Sequence, residues 1–90
     1  MVLLDTLGRR GALRVLWELR GEPLTFRALQ AACESNPGSL NTRLAELREL
    51  GVVDHEEGGY RLTKQGRTLM DALAPLQAWA DGWARRRSAD

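Results

Sequence analysis

The sequence predicts a mainly α-helical fold with one small β-hairpin, and three observations predict it. Leucines recur at 40, 44, 47 and 50 behind an Asn36–Pro37 start, which is helical spacing behind a helix-initiating pair. Two short β-prone runs, 52–55 and 60–62, flank a turn over Glu56–Gly59 whose paired glycines suit a hairpin. Caps and breakers divide the rest into helical segments. The resulting order is helix, helix, turn, helix, β-hairpin, helix.

The first helix is expected over roughly residues 2–20, ended by Gly21 and by Pro23 just beyond. Leu13, Val15, Leu16, Trp17 and Leu19 point several ways around it and predict burial on more than one side. Gly8 and Gly11 weaken its early part or allow close packing there. Leu24 is placed to pair briefly as an edge strand. Thr25 then caps a short second helix whose Phe26, Leu29 and Ala32 or Cys33 face inward. After the tight connection Glu34–Asn36, the third helix covers about 36–50. Asn36 caps it, Pro37 fills its first position and Gly51 ends it. Thr63 caps a last helix to about Arg87. Its Leu69, Leu73, Leu76, Ala80 and Trp83 form a heptad-like seam that Pro75 should kink or interrupt near residue 74.

Ninety residues suit one domain, 1–90, with a single core. Hydrophobic content of 43% with 28% charged residues fits a folded soluble chain rather than a disordered one. No apolar run approaches the roughly 20 residues that span a bilayer, and the start lacks the basic segment of a secretory signal. A lone cysteine, Cys33, cannot form an internal disulfide and is expected to act as a small buried hydrophobe in a reducing, cytoplasmic setting. One His, one Cys and no phosphate-binding glycine loop give little basis for enzyme chemistry, a metal site or a cofactor. His55 reads as a plain surface residue. The net charge of +1 is uneven: +2 over residues 1–33, −4 over 34–57 and +3 over 58–90. The acidic segment contains the third helix, which counts against a simple basic-patch route to nucleic acid.

Two helices joined by a short turn and followed by a hairpin form a winged helix-turn-helix. Several stretches then carry a resemblance. "LGRRGALRVLWEL" looks like a first core helix and "GEPLTFRAL" like an entry into the second. In "NPGSLNTRLAELRELGVV", Pro37, Leu40, Arg43, Leu44, Leu47, Gly51 and Val52 follow one family pattern. In "YRLTKQGRTL", Tyr60, Leu62, Thr63 and Gly66 do so, and Trp79 matches a tryptophan of the last helix. From about Leu7 to Trp83 the chain thus resembles the HxlR-type winged helix-turn-helix regulators of bacteria, near the MarR-like proteins. The resemblance implies a homodimer that binds double-stranded DNA as a transcriptional regulator, often a repressor. Three departures stand out. The family's N-terminal cysteine segment is missing, so its thiol sensing is not expected here. Gly11 stands where the family usually has a tryptophan. The short wing ends in Glu-Glu-Gly-Gly, where the family's longer wing usually carries Arg.

On the third helix, Gly38, Asn41, Thr42 and Ala45 lie opposite the leucine seam. The amide of Asn can read an adenine edge, Thr can bond a base or touch a thymine methyl, Ala can touch a methyl, and Gly permits close approach. The alternative is an ordinary solvated face. Arg43, on the flank of the seam, can reach a phosphate or pair with Glu46 or Glu49. Asn36 and Ser39 sit at the helix start, where an anion is favoured. Arg27, Arg61 and Lys64, with Arg67, complete the candidates for backbone contact, each equally readable as a solvated charge. Glu56 and Glu57 should repel phosphate. Trp17, Leu73, Leu76, Trp79, Ala80 and Trp83 suit a dimer seam, with the C-terminal helix, 63–87, contributing to dimerisation. The alternative is packing within one chain. A different reading keeps the fold but not the DNA: an interaction module for another protein, motivated by the acidic balance of 34–57.

Overall fold

The computed structural model describes residues 2–89, without the side chain of Ala89; the expected outer bounds of the domain, 1 and 90, lie outside them. The elements run α1 (Val2–Leu7), α2 (Ala12–Glu18), α3 (Phe26–Cys33), α4 (Pro37–Glu49), β1 (Val53–Glu56), β2 (Gly59–Leu62) and α5 (Lys64–Ala89). This is the predicted class, helices with a two-stranded antiparallel hairpin.

The expected first helix is two helices. Gly11 takes a left-handed φ of 89°, which breaks the ladder between α1 and α2, and residues 8–11 turn the chain there. Burial on α2 is also one-sided. Ala12, Val15, Leu16 and Leu19 are buried, while Leu13 and Trp17, one turn apart, stay open to solvent. Arg20 lies over the Trp17 ring, its guanidinium 3.7 Å from the ring centroid.

The caps fall where the sequence puts them. Thr25 Oγ1 accepts from the Ala28 N–H at 3.1 Å and starts α3, whose Leu29 is fully buried. Asn36 Oδ1 accepts from the Ser39 N–H at 2.8 Å and starts α4. Leu40, Leu44 and Leu47 then bury completely against the core, each contributing about 1.5–3 kcal/mol by transfer from water. Val52, Val53, Tyr60 and Leu62 close that core from the hairpin side.

The strands sit one residue from their predicted bounds, with Val53 opposite Leu62 and Glu56 opposite Gly59. Val52 remains in the turn, where its carbonyl accepts from the Thr63 N–H. Leu24 does pair with the hairpin: it exchanges backbone hydrogen bonds with Tyr60 at 3.0 and 2.7 Å. Gly59 explains itself here. Its φ is 113°, and a Cβ would run into the Leu24 carbonyl. Thr63 Oγ1 accepts from the Gly66 N–H at 3.1 Å to start α5, and a Cβ on Gly66 would strike the Val52 carbonyl.

Pro75 does not interrupt α5, which is continuous from Lys64 to Ala89. Proline removes the N–H that would reach the carbonyl of Asp71. Both residues lie on the exposed side, where water can bond the freed carbonyl. At 26 residues the helix is roughly 39 Å long by its rise per residue, most of the 46 Å long axis of the described chain.

Candidate nucleic-acid interface

Helix α4 presents two unlike faces. Its leucine side is sealed in the core. Gly38, Asn41, Thr42 and Ala45 all lie exposed on the other side, and none carries charge. Thr42 has its hydroxyl proton committed, since Oγ1 donates to the Gly38 carbonyl at 3.0 Å. What it offers outward is its methyl group and the lone pairs of that oxygen. Asn41 has no partner within the chain among the described residues, so both ends of its amide are free to pair with a base edge.

The charged candidates divide by commitment. Arg43 is largely buried: its side chain is 19% exposed, and its Nε lies 3.1 Å from Glu46 Oε1. That pair is close but misaligned, and neither atom completes a hydrogen bond. Arg9, from the turn before α2, adds a second cation to Glu46 at 3.2 Å. Arg61 on β2 is held between Asp54 at 3.3 Å and Glu56 at 2.6 Å. Arg27, Lys64 and Arg67 are exposed, as are Asn36 and Ser39 at the start of α4. Asn36 spends its oxygen on the cap and keeps its amide N–H groups for an outside acceptor.

These pairings change the meaning of the acidic segment. Glu46, Asp54 and Glu56 each meet an arginine, which leaves Glu34, Glu49 and Glu57 without such a pair among the described residues. The negative balance is therefore partly cancelled within the molecule. Glu57 stays exposed at the wing tip. His55 is exposed and stacks on Tyr60, ring centroids 4.2 Å apart. Burial, and Glu18 nearby, push the Cys33 thiol above its ordinary range, against the lowering effect of Arg14.

The sequence singled out neither Arg9 nor Arg10, yet the α1–α2 turn brings both beside α4. The signal was present: an Arg-Arg-Gly run at a point where two glycines weaken a helix.

A second surface lies on the far side of α2. Leu76, Trp79 and Trp83 are 56%, 60% and 45% exposed, and the two indoles stack at 6.4 Å. Leu73 and Ala80 are half-buried. Leu13 and Trp17 of α2 border, with Leu73, Leu76 and Ala80 of α5, an apolar groove of about 890 Å³. The tryptophans of α5 thus do not pack away within the chain. No described helix is long and apolar enough to cross a membrane.

Comparison with known proteins accords with this geometry. A profile described as HxlR-like helix-turn-helix matches residues 6–88. An uncharacterised HTH-type transcriptional regulator of Methanocaldococcus jannaschii, MJ0925, is 23% identical over 88 residues, covering 92% of this chain and 83% of that one. A second protein of the same organism, MJ0241, is 33% identical over 64 residues, covering 68% of this chain and 44% of its own length. Among solved structures, quinone-bound YodB from B. subtilis superposes with a TM-score of 0.82 at 27% identity, covering 89% of this chain and 92% of YodB. The Mycobacterium tuberculosis MarR family protein Rv2887 shares the fold, with a TM-score of 0.76 at 24% identity over 96% of this chain and 66% of that one. The winged helix-turn-helix geometry and the profile match agree: the chain belongs to the HxlR-like helix-turn-helix family, whose members are transcriptional regulators and not enzymes.

Proposed function

We propose that the protein is a homodimeric DNA-binding repressor that works in the cytoplasm and places α4 of each subunit in a major groove. The observation that carries this reading is the slim, uncharged outer face of α4. A helix needs close approach and free hydrogen-bonding groups to read base edges, and Gly38, Asn41, Thr42 and Ala45 supply both. Arg27, Asn36, Ser39, Lys64 and Arg67 serve as backbone contacts around it. Arg43 joins them by exchanging Glu46 for a phosphate, and Arg61 by releasing its two carboxylates.

The groove bordered by Trp17, Leu73, Leu76 and Ala80, with Trp79 and Trp83 beside it, takes the second copy. So large an apolar surface on a 90-residue chain favours a permanent partner. Two-fold symmetry then sets a palindromic site with half-sites about one helical turn apart, roughly 34–36 Å.

The test is fluorescence anisotropy on DNA from upstream of the protein's own gene, against an unrelated duplex of equal length, at about 50 and 200 mM salt. Tight binding to the first duplex, weakened by salt and by Asn41→Ala, supports the reading. Equal weak binding to both duplexes would sink it and favour the interaction module that the acidic 34–57 segment suggested.

A further inference from the structure

A second opening lies between α2 and the turn that leads from α3 into α4. It is a cleft of about 480 Å³. Arg10, Arg14 and Arg43 all line it, with Ser35 and Ser39, and a single carboxylate, Glu34. Gly11 keeps one side open. A Cβ there would already lie 3.9 Å from Arg43 Cγ, and a larger side chain would extend into the space.

The lining is rich in donors and short of acceptors. Arg14 uses Nε on Glu18 at 2.8 Å and Nη2 on the Ala32 carbonyl at 2.9 Å, which leaves Nη1. Arg43 Nε is buried 3.1 Å from Glu46 Oε1 without completing a hydrogen bond, and Ser35 Oγ is buried with no hydrogen-bond partner. Arg10 forms no ion pair among the described residues and carries its full charge at the mouth of the turn. Buried polar atoms without partners are uncommon and call for a ligand or solvent to complete them. Guanidiniums and hydroxyls converging on one space are the complement of a multivalent oxyanion.

We propose that this cleft binds a phosphate group, held by Arg10, the free end of Arg14, Arg43 and the Ser35 and Ser39 hydroxyls. Two sources share that chemistry. Ser39 and Arg43 belong to α4, so a DNA strand running beside that helix can lodge a backbone phosphate here; this source rests on the DNA reading above. A free phosphorylated molecule can occupy the same atoms, and would then compete with the strand.

Two measurements with Arg10→Ala separate these outcomes. Arg10 is exposed and away from the core, so the variant keeps the fold, which its amide spectrum verifies. First, inorganic phosphate is titrated into the full chain against chloride of equal ionic strength, following the Ser35 and Ser39 amide resonances. Saturable shifts are expected, weakened about tenfold or more in the variant, as loss of a charged hydrogen bond implies. Second, the salt dependence of DNA binding is compared. A slope reduced by about one in the variant identifies a backbone phosphate as the occupant. An unchanged slope with altered phosphate binding identifies a free anion. Should both readouts be the same in the variant as in the parent, the cleft is not a phosphate site, even if Asn41→Ala still weakens DNA binding. The phosphate titration remains decisive if the protein binds no DNA.

Discussion

Helix α4 buries one face and α5 packs on the core only near its start, and what the two expose differs in kind. The outer side of α4 carries Gly38, Asn41, Thr42 and Ala45, small or polar and uncharged. The outer side of α5 carries Leu76, Trp79 and Trp83. Water tolerates the first surface, and a hydrogen-bonding partner can replace that water without loss. The second surface stays unfavourable in water until another apolar surface covers it. On the proposed function the two helices meet different kinds of partner: a polar groove for α4, a protein surface for α5. The contrast also explains how so small a chain can afford three tryptophans without burying them all in its core.

The comparison can be broken most severely on α5. Trp83→Glu puts a carboxylate on the seam, and burying it against a second copy costs several kcal/mol. The dimer dissociation constant should rise by about a hundredfold or more, with DNA affinity falling alongside, as sedimentation and anisotropy would record. A variant that stays dimeric would remove the seam from the interface. Next comes Leu44→Ala, on the sealed face of α4. It should cost about 2–5 kcal/mol in a urea melt, because the site is fully enclosed. Asn41→Ala, on the other face of the same helix, should leave that melt within about 0.5 kcal/mol. Its loss of about 1–3 kcal/mol should fall on discrimination between operator and unrelated duplex. Asn36→Ala should cost about 1 kcal/mol of stability by removing the cap on Ser39.

The smallest expected effect concerns Cys33. Its thiol is held above the ordinary range, mainly by burial. The folded state therefore keeps its proton to higher pH than the unfolded chain, and alkaline conditions favour unfolding once pH passes the unfolded value. Between that pH and the higher folded value, alkylation of the native protein should be slower than that of the urea-unfolded chain. Equal rates would show that the site is open.

Much of the fold was legible because its signals are local. The caps at Thr25, Asn36 and Thr63, the leucine spacing of α4 and the paired glycines of the wing each depend on neighbours a few residues away. The misreadings share the opposite cause. A single helix over 2–20 failed because Gly11 adopts a left-handed φ, which spacing does not reveal. Pro75 reads as a breaker, yet the helix passes through it on an exposed stretch. Burial on more than one side of α2 was expected, yet Leu13 and Trp17 stay open within the chain, since only the tertiary arrangement shows which side is covered. Of the candidate interface, the outer face of α4 was readable from periodicity. The pairing of Arg61 with two carboxylates, and the approach of Arg9 to Glu46, were not, because they depend on strand register and on a turn.

The unbroken length of α5 has a genetic consequence. Each residue inserted into or deleted from this helix between Met70 and Leu76 would rotate the exposed seam beyond it by about 100° and shift it by about 1.5 Å relative to α4. In a dimer joined through that seam, such a change re-aims both reading heads together while touching no residue that meets DNA. Relatives that differ by a single codon in this helix would then recognise the same half-site words at a different spacing. Operator grammar and operator vocabulary would thus be inherited through separate helices.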